Sequence, residues 1–217
     1  RKESSNMKIL FQGDSVTDAG RDRADPHHLG GGYPKFAAEY IRAARPDVDF
    51  EFLNLGISGN RTEHILARMQ SDIIDLQPDI MTLMIGVNDV WHHYDFGEEL
   101  YVSAEKFEEN LSTILRETRA KTPARIVLIE PFILPAEDKL KMLPELDEKI
   151  RIIRALAREY ADALLPLHAL FAARLVGGDW HTYSPDGVHP NDEGRRFIAE
   201  ELTRVLCPVI DRVNGQK

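Results

Sequence analysis

The sequence predicts an α/β fold in which a parallel sheet is covered by helices on both faces. Three observations lead to this prediction: short apolar runs of strand length, helical patterns of apolar residues, and strict alternation of the two along the chain. The predicted strands are residues 7–12, 50–55, 80–85, 125–129 and 164–167. No repeat, low-complexity tract or linker-like stretch interrupts the alternation, so residues 7–217 are predicted to form a single domain.

The segments between and after the predicted strands have the periodicity of helices. Apolar residues recur there at three- and four-residue spacing, the pattern of a helix that buries one face. The predicted helices are residues 33–44, 63–76, 103–121, 145–161 and 191–209. Residues 1–6 precede Met7 and are predicted to be an upstream or added tail.

The charge and composition of the chain exclude several classes of partner. Its formal net charge is −9 at pH 7, so a polyanion would be repelled and no nucleic-acid partner is predicted. No apolar stretch is long enough for a membrane span or a signal peptide, and the single cysteine, Cys207, rules out an intrachain disulfide. These features predict a soluble, cytoplasmic protein. They leave its state open between a monomer and a homo-oligomer.

Polar residues follow three of the predicted strands. Ser15 comes after the first strand in Gly-Asp-Ser, Gly59 after the second in Gly-Ile-Ser-Gly-Asn, and Asn88 after the third in Gly-Val-Asn-Asp. In a doubly wound parallel sheet, the carboxyl ends of the strands lie at one edge, where such folds bind ligands. We therefore expect the three loops to converge.

A fourth polar element, Asp186-Gly187-Val188-His189, precedes the last predicted helix. Its spacing is that of a four-residue turn, which keeps the outer α-carbons within about 7 Å, so Asp186 can reach Nδ1 of His189. Pro190 disfavours helical geometry at His189. This leaves Nε2 of the imidazole free to face a serine.

Acyl transfer requires a hydroxyl, a base, a carboxylate that orients the base, and donors for the oxyanion. Ser15 is the candidate nucleophile, His189 the candidate base and Asp186 the candidate orienting residue. The backbone N–H groups of Ser15 and Gly59 and the side-chain amide of Asn88 are the candidate oxyanion hole. Each motif taken singly is more typical of a turn or a helix cap. Their common placement favours catalysis.

These four blocks resemble those of the SGNH hydrolases, also called the GDSL esterase and lipase family. The blocks occur in the family's order, and the likeness extends over residues 8–206. The resemblance implies a flavodoxin-like three-layer α/β/α sandwich with strand order 2-1-3-4-5. The α/β-hydrolase pattern Gly-x-Ser-x-Gly does not fit, because Thr17 stands at the position of the second glycine.

The longer strings GDSVTDAGR, LGISGNRT, LMIGVNDVW and VHPNDEG are similar to those of intracellular acetyl esterases that deacetylate xylan fragments and related sugars. This likeness implies a cofactor-independent serine esterase that hydrolyses short-chain acyl esters, above all acetyl esters, through an acyl-enzyme intermediate. A lysophospholipase or thioesterase of the same family is the alternative. A non-catalytic flavodoxin-like binding module is a third interpretation, against which the intact Ser15, Asp186 and His189 argue.

Two tryptophans are candidate substrate contacts. Trp91 follows the third polar loop, and Trp180 lies shortly before the Asp186 turn, each within an aromatic cluster. Aromatic faces suit stacking against sugar rings. Ordinary packing or an interface contact would explain either residue equally well.

Several histidines suggest a metal site that the sequence does not support. His27 and His28 are adjacent, as are His92 and His93, with Asp95 nearby. Side chains of adjacent histidines diverge, and no spacing typical of zinc ligands is present. No metal or other cofactor is predicted.

Overall fold

The computed structural model describes residues 6–216 of the chain. Most of the predicted tail, residues 1–5, lies outside this range. The division of the chain into a tail of residues 1–6 and a domain of residues 7–217 therefore stays a prediction.

The described residues form a parallel sheet of five strands. They are β1 (Met7–Gly13), β2 (Phe50–Asn54), β3 (Ile80–Met84), β4 (Arg125–Ile129) and β5 (Ala163–Leu165). The strand order is β2-β1-β3-β4-β5, and every neighbouring pair is parallel. The predicted fold class and strand order are confirmed.

Residues 6–216 contain eight α-helices, six between successive strands and two after β5. They are α1 (Ser15–Asp18), α2 (Tyr33–Ala44), α3 (Thr62–Met69), α4 (Val87–Phe96), α5 (Ala104–Lys121), α6 (Leu143–Tyr160), α7 (Leu167–Arg174) and α8 (Asp192–Asn214). A π-helical turn, Gln70–Ile74, extends α3. In this part of the chain, no helix has both the length and the apolar character needed to cross a bilayer.

Two hydrophobic cores lie on opposite faces of the sheet. Ile9 and Phe11 pack with residues of α2, α7 and α8, whereas Leu10 packs with residues of α3, α5 and α6. Successive side chains of a strand point to opposite faces, so the continuous apolar run of β1 fills both cores. Each of these three side chains is fully buried, which stabilises the fold by about 2 kcal/mol per residue.

The structure corrects the sequence-based prediction at α4, because no helix was predicted between residue 85 and residue 103. Val87 and Val90 are buried there, and Trp91 and Tyr94 pack beside them against residues of α6. The three- and four-residue spacing of a helix is therefore present. Two histidines and Asn88 interrupt its apolar character and hide the pattern.

The fold brings the polar loops to one edge of the sheet. Strand β1 lies between β2 and β3, so the segments that follow these three strands are neighbours at the carboxyl ends. The chain reverses its direction of winding between β1 and β3, which is where open α/β sheets bind ligands.

Candidate active site

Ser15 is the first residue of α1 and follows a sharp turn at the end of β1. Asp14 caps this helix, since its Oδ1 accepts a hydrogen bond from Val16 N at 3.0 Å. Gly13 is required for the turn, because a Cβ at this position would lie 2.6 Å from the carbonyl oxygen of Met84. The turn holds the Ser15 hydroxyl at the edge of the sheet.

The Ser15 hydroxyl meets an imidazole from the other end of the chain. Ser15 Oγ lies 3.1 Å from His189 Nε2, although 174 residues separate the two. His189 Nδ1 lies 2.7 Å from Asp186 Oδ2. When Nδ1–H donates to this carboxylate, Nε2 is left as the acceptor that faces the hydroxyl.

The turn around Asp186 fixes the imidazole in this position. Asp186 Oδ1 accepts hydrogen bonds from the backbone N–H groups of Val188 and His189, at 2.9 and 2.7 Å. Gly187 has a φ of +85°, and its carbonyl oxygen accepts a bond from Leu134 N at 2.8 Å. The predicted turn is present, and the segment after β4 supports it.

The charges around His189 favour its protonated form. Its hydrogen bond to Asp186 raises the pKa of the imidazole, burial lowers it, and the charges of Asp186 and Asp14 raise it further. Burial acts to raise the pKa of Asp186, but the hydrogen bonds from His189 and Val188 hold it well below its usual range. The carboxylate therefore remains ionised and stabilises an imidazolium.

Asp14 is a second carboxyl group whose charge acts on His189. Its side chain is 1% exposed, and burial raises its pKa to about 7, against the opposing effects of the Val16 N–H bond and of His189. Because the Asp14 carboxylate would attract an imidazolium, its ionisation adds to the basicity of His189.

Three candidate oxyanion donors surround the serine loop. Within residues 6–216, no acceptor takes the backbone N–H of Ser15 or of Gly59. Gly59 has a φ of +83°, a conformation that favours glycine. Asn88 is buried, and its Nδ2 donates to the carbonyl oxygen of Asn60 at 3.1 Å, which leaves its second N–H available. All three donors are free to bind a negative oxygen.

A cavity of about 240 Å³ opens over Ser15 and His189. Its lining residues are Ser15, Val16, Ala19, Ser58, His189, Pro190 and Arg195. Sequence reasoning missed Arg195, which lies in the first turn of α8, and Ser58, which precedes Gly59. The string VHPNDEGRR places Arg195 close to His189 along the chain, and this proximity was the available signal.

Trp91 lies beside the imidazole. Its ring centroid is 5.8 Å from that of His189, and its Nε1 donates a hydrogen bond to Asp95. The Nζ of Lys139 lies 5.2 Å from the centroid of the indole ring. Lys139 belongs to a 3-10 helix, Glu137–Met142, that carries no motif, so the sequence gave no indication of its position.

Trp180 occupies a different environment. It begins a short 3-10 turn, and its ring stacks on that of His181 with a centroid distance of 3.7 Å. It also packs against the core formed with α2 and α8, and it does not line the cavity over Ser15. The structure thus brings Trp91, but not Trp180, against the imidazole.

The histidines considered for metal binding have other contacts. His27 Nε2 lies 3.1 Å from Glu51, and His93 Nε2 lies 3.0 Å from Glu145. In the part of the chain that the structure describes, no group of three or more His, Cys, Asp or Glu residues is arranged to hold a metal ion.

Residues 11–197 match the sequence model of the GDSL-like lipase/acylhydrolase family. The chain belongs to this family. It is 32% identical over 211 residues to an acetylxylan esterase from Geobacillus stearothermophilus, and the match covers 94% of this chain and 96% of that relative.

Solved structures of GDSL-like proteins resemble this chain over nearly its whole length. An Axe2 mutant described as an acetyl-xylooligosaccharide esterase from Geobacillus stearothermophilus superposes with a TM-score of 0.87 at 31% identity, covering 95% of this chain and 97% of the other. A GDSL-like lipase from Parabacteroides merdae gives a TM-score of 0.84 at 33% identity, with 92% and 95% covered. Three further similar structures are catalytic mutants of Axe2 in which a serine, an aspartate or a histidine is replaced by alanine.

Proposed function

We propose that this chain is a serine esterase that removes acetyl groups from xylo-oligosaccharides or related carbohydrates through an acyl-enzyme intermediate. The observation that carries the proposal is the hydrogen-bonded series from Ser15 Oγ to His189 Nε2 and from His189 Nδ1 to Asp186. Family membership makes the chain a carboxylic ester hydrolase. The similarity to acetylxylan esterases supports the choice of substrate.

Acylation begins when Ser15 Oγ attacks the carbonyl carbon of the ester. His189 Nε2 takes the hydroxyl proton, and the ionised Asp186 stabilises the imidazolium that forms. The tetrahedral intermediate then collapses: its bond to the sugar oxygen breaks, and His189 returns the proton to that oxygen. The free sugar hydroxyl leaves, and the acetyl group remains on Ser15.

Deacylation repeats these steps with water in the place of the serine. His189 Nε2 removes a proton from the water as its oxygen attacks the acetyl carbon. When the second tetrahedral intermediate collapses, the bond to Ser15 Oγ breaks and the serine recovers its proton from His189. Acetate leaves the site, and the enzyme returns to its starting state.

Both tetrahedral intermediates carry a negative oxygen. In the proposed mechanism the backbone N–H groups of Ser15 and Gly59 and the free N–H of Asn88 bind this oxygen. A single donor of this kind typically lowers the barrier by about 3 to 4 kcal/mol. The three donors lie in segments that follow three different strands, two of them at the starts of α1 and α4 and the third in the loop before α3, so the sheet sets their arrangement.

The surroundings of Ser15 favour a small acyl group and a polar alcohol. The cavity of about 240 Å³ has Ser58 and Arg195 among its lining residues, and both offer hydrogen bonds to sugar hydroxyls. Trp91, which lies beside the imidazole and outside the cavity lining, is also a proposed substrate contact. Trp180 stays a proposed contact for a longer oligosaccharide. A lysophospholipase is not favoured, because this lining offers no continuous apolar surface for a long acyl chain.

Replacement of the serine tests the proposal directly. Ser15→Ala removes the nucleophile, and we expect kcat/KM for p-nitrophenyl acetate to fall at least about 10³-fold. A fluorophosphonate, which reacts with activated serines, is expected to label the wild type and not the variant. Release of acetate from acetylated xylo-oligosaccharides measures the natural reaction.

Ser112→Ala is the control, since Ser112 lies on α5 and its hydroxyl donates only to the carbonyl oxygen of Glu109. It is expected to retain wild-type activity and labelling. Equal activity of Ser15→Ala and the wild type would remove Ser15 from the mechanism.

A further inference from the structure

The loop that carries Gly59 has no regular secondary structure of its own. It connects β2 to α3 over residues 55–61. An oxyanion donor is effective only when it lies about 2.7 to 3.1 Å from the developing negative oxygen, so a loose loop would weaken the site. Contacts that fix this loop therefore bear directly on catalysis.

Asp18 is bound to the loop immediately before Gly59. Its Oδ2 accepts a hydrogen bond from the backbone N–H of Ser58 at 2.8 Å. The same oxygen lies 2.7 Å from Nη2 of Arg23, and Oδ1 accepts a bond from Arg21 N at 3.3 Å. The carboxylate is 2% exposed and has a partner on each oxygen.

Two arginines hold the loop on either side of this contact. Arg21 is buried, and its Nε donates to the carbonyl oxygen of Gly56 at 2.7 Å. Arg68 Nε donates to the side-chain oxygen of Asn60 at 3.0 Å. Hydrogen bonds therefore hold the loop at Gly56, at Ser58 and at Asn60.

The position of Asp18 in the chain gives this contact its significance. Asp18 is the last residue of α1, and Ser15 is the first residue of the same helix. Ser15 supplies the nucleophile and one candidate donor, and Gly59 supplies another. One turn of helix and one carboxylate therefore connect the two backbone donors.

We propose that Asp18 is a positioning residue for the oxyanion hole, and that Arg23 neutralises its buried charge. Its carboxylate ties the Gly59 loop to the helix that begins at the nucleophile, so the N–H groups of Ser15 and Gly59 keep a fixed separation while tetrahedral intermediates form and collapse. The inference rests on the proposed esterase function and adds to it a residue that touches neither substrate nor imidazole.

The Asp18→Ala variant tests the positioning of the oxyanion donors without replacing the nucleophile or the base. The variant leaves Ser15, His189 and Asp186 unaltered, so the nucleophile and its base remain. We expect kcat/KM for p-nitrophenyl acetate to fall about 10- to 100-fold, since a displaced donor loses part of a typical 10²- to 10³-fold effect. KM is expected to change less than about threefold, because the ground-state ester binds the donors weakly.

Inhibition by methylboronic acid provides a second readout. Ser15 Oγ forms a bond to the boron of this compound while the hydroxyl proton passes to His189, and the boron becomes a tetrahedral anion that mimics the intermediate. We expect its inhibition constant to rise in Asp18→Ala by about the same factor as kcat/KM falls, because both depend on the oxyanion donors. A general loosening of the fold would lower the unfolding temperature, but the inhibition constant and kcat/KM would not then change by the same factor.

Glu130→Ala is the matched control. Glu130 is also a fully buried carboxylate, and it pairs with the partly exposed Arg154 at 2.6 Å, much as Asp18 pairs with Arg23. Its side-chain hydrogen bonds are to Arg154 and to Ala169 N, and neither partner belongs to residues 55–61. We expect a comparable loss of thermal stability with kcat/KM and boronate inhibition within about threefold of the wild type.

Asp18→Asn keeps the shape of the side chain and one acceptor for Ser58 N. It is expected to fold and to lose less activity than Asp18→Ala, and it serves as the test if the alanine variant does not fold. The inference is overturned if the folded Asp18 variants have the kcat/KM and the boronate inhibition constant of the wild type. It is also overturned if Glu130→Ala lowers kcat/KM as much as Asp18→Ala does. Failure of the esterase proposal would give a different result, since the wild type and Ser15→Ala would then have equal kcat/KM.

Discussion

The two nitrogens of His189 have different partners, and the difference fits the role of general base that we propose for this residue. Nδ1 faces an ionised carboxylate and Nε2 faces a hydroxyl. The short strings around Ser15 and His189 predicted this arrangement, because the requirements of acyl transfer are specific to residue type. The position of Lys139 and the role proposed for Asp18 were not predictable. Lys139 lies in no motif, and the string GDSVTDAGR includes Asp18 without indicating its contact with Ser58, which is 40 residues away.

The basicity of His189 predicts the acid limb of the pH profile. The imidazole must be neutral to accept a proton, and its hydrogen bond to Asp186 raises its pKa. We therefore expect kcat/KM for p-nitrophenyl acetate to rise with pH through an apparent pKa above about 6.5, the value of a free histidine. Activity is lost below that pKa as the imidazolium forms.

Asp186→Asn checks the origin of this shift. Without the carboxylate, the apparent pKa is expected to move down, and kcat/KM at pH 8 to fall about 10²- to 10⁴-fold, because the imidazole loses both orientation and charge stabilisation. Rates measured from pH 5 to 9, corrected for spontaneous hydrolysis, give both values. An acid limb that stays at the wild-type position in this variant would contradict the assignment of Asp186.

Among the elements, the start of α8 was predicted to within one residue, whereas α4 was not predicted. Helix α8 has an unambiguous signal, since Asn191 caps it and accepts a bond from Gly194 N at 3.0 Å. Helix α4 has no such cap and carries polar residues on its buried side, so its pattern was obscured. Strand β5 ends at Leu165, before the predicted boundary, because Pro166 lacks an N–H and the chain turns into α7.

Gly194 sets how closely α8 approaches the turn that carries His189. A Cβ at this position would lie 2.3 Å from the carbonyl oxygen of Tyr183 and 2.8 Å from Cβ of Pro190. We expect Gly194→Ala to destabilise the fold by about 1 to 3 kcal/mol and to lower kcat/KM, since the helix must move away from Pro190. Urea denaturation and p-nitrophenyl acetate hydrolysis measure the two effects.

Gly178→Ala is the comparison, because the nearest atom to a Cβ there lies at an ordinary 3.4 Å. It is expected to change neither stability nor activity appreciably. Wild-type stability in Gly194→Ala would show that the approach of α8 tolerates a methyl group.

For the molecule as a whole, periodicity in the sequence predicted the parallel sheet and its two helical layers. The strand order followed only from family resemblance, because the apolar runs carry no information on which strands are neighbours. The cavity also follows from the assembled fold, since its lining comes from α1 and the residue after it, the Gly59 loop, the turn that carries His189, and the start of α8. Its size and polarity were not evident from any one segment.

The shape of this cavity predicts acyl-chain preference. We expect kcat/KM to be at least about tenfold higher for p-nitrophenyl acetate than for the octanoate, because the polar lining gives the extra methylene groups no apolar surface to bury. The two esters share a leaving group, so the comparison isolates the acyl side. A preference for octanoate would favour the lysophospholipase or thioesterase alternative.

The separation of 174 residues between Ser15 and His189 also affects how activity is acquired during synthesis. In a growing polypeptide, the proposed nucleophile is translated well before the base that would activate it. The proposed mechanism therefore leaves Ser15 unactivated on the ribosome until residues 186–189 have been made and lie beside α1. Ester hydrolysis would then report that synthesis has passed His189, and a product terminated before that residue is expected to be inactive.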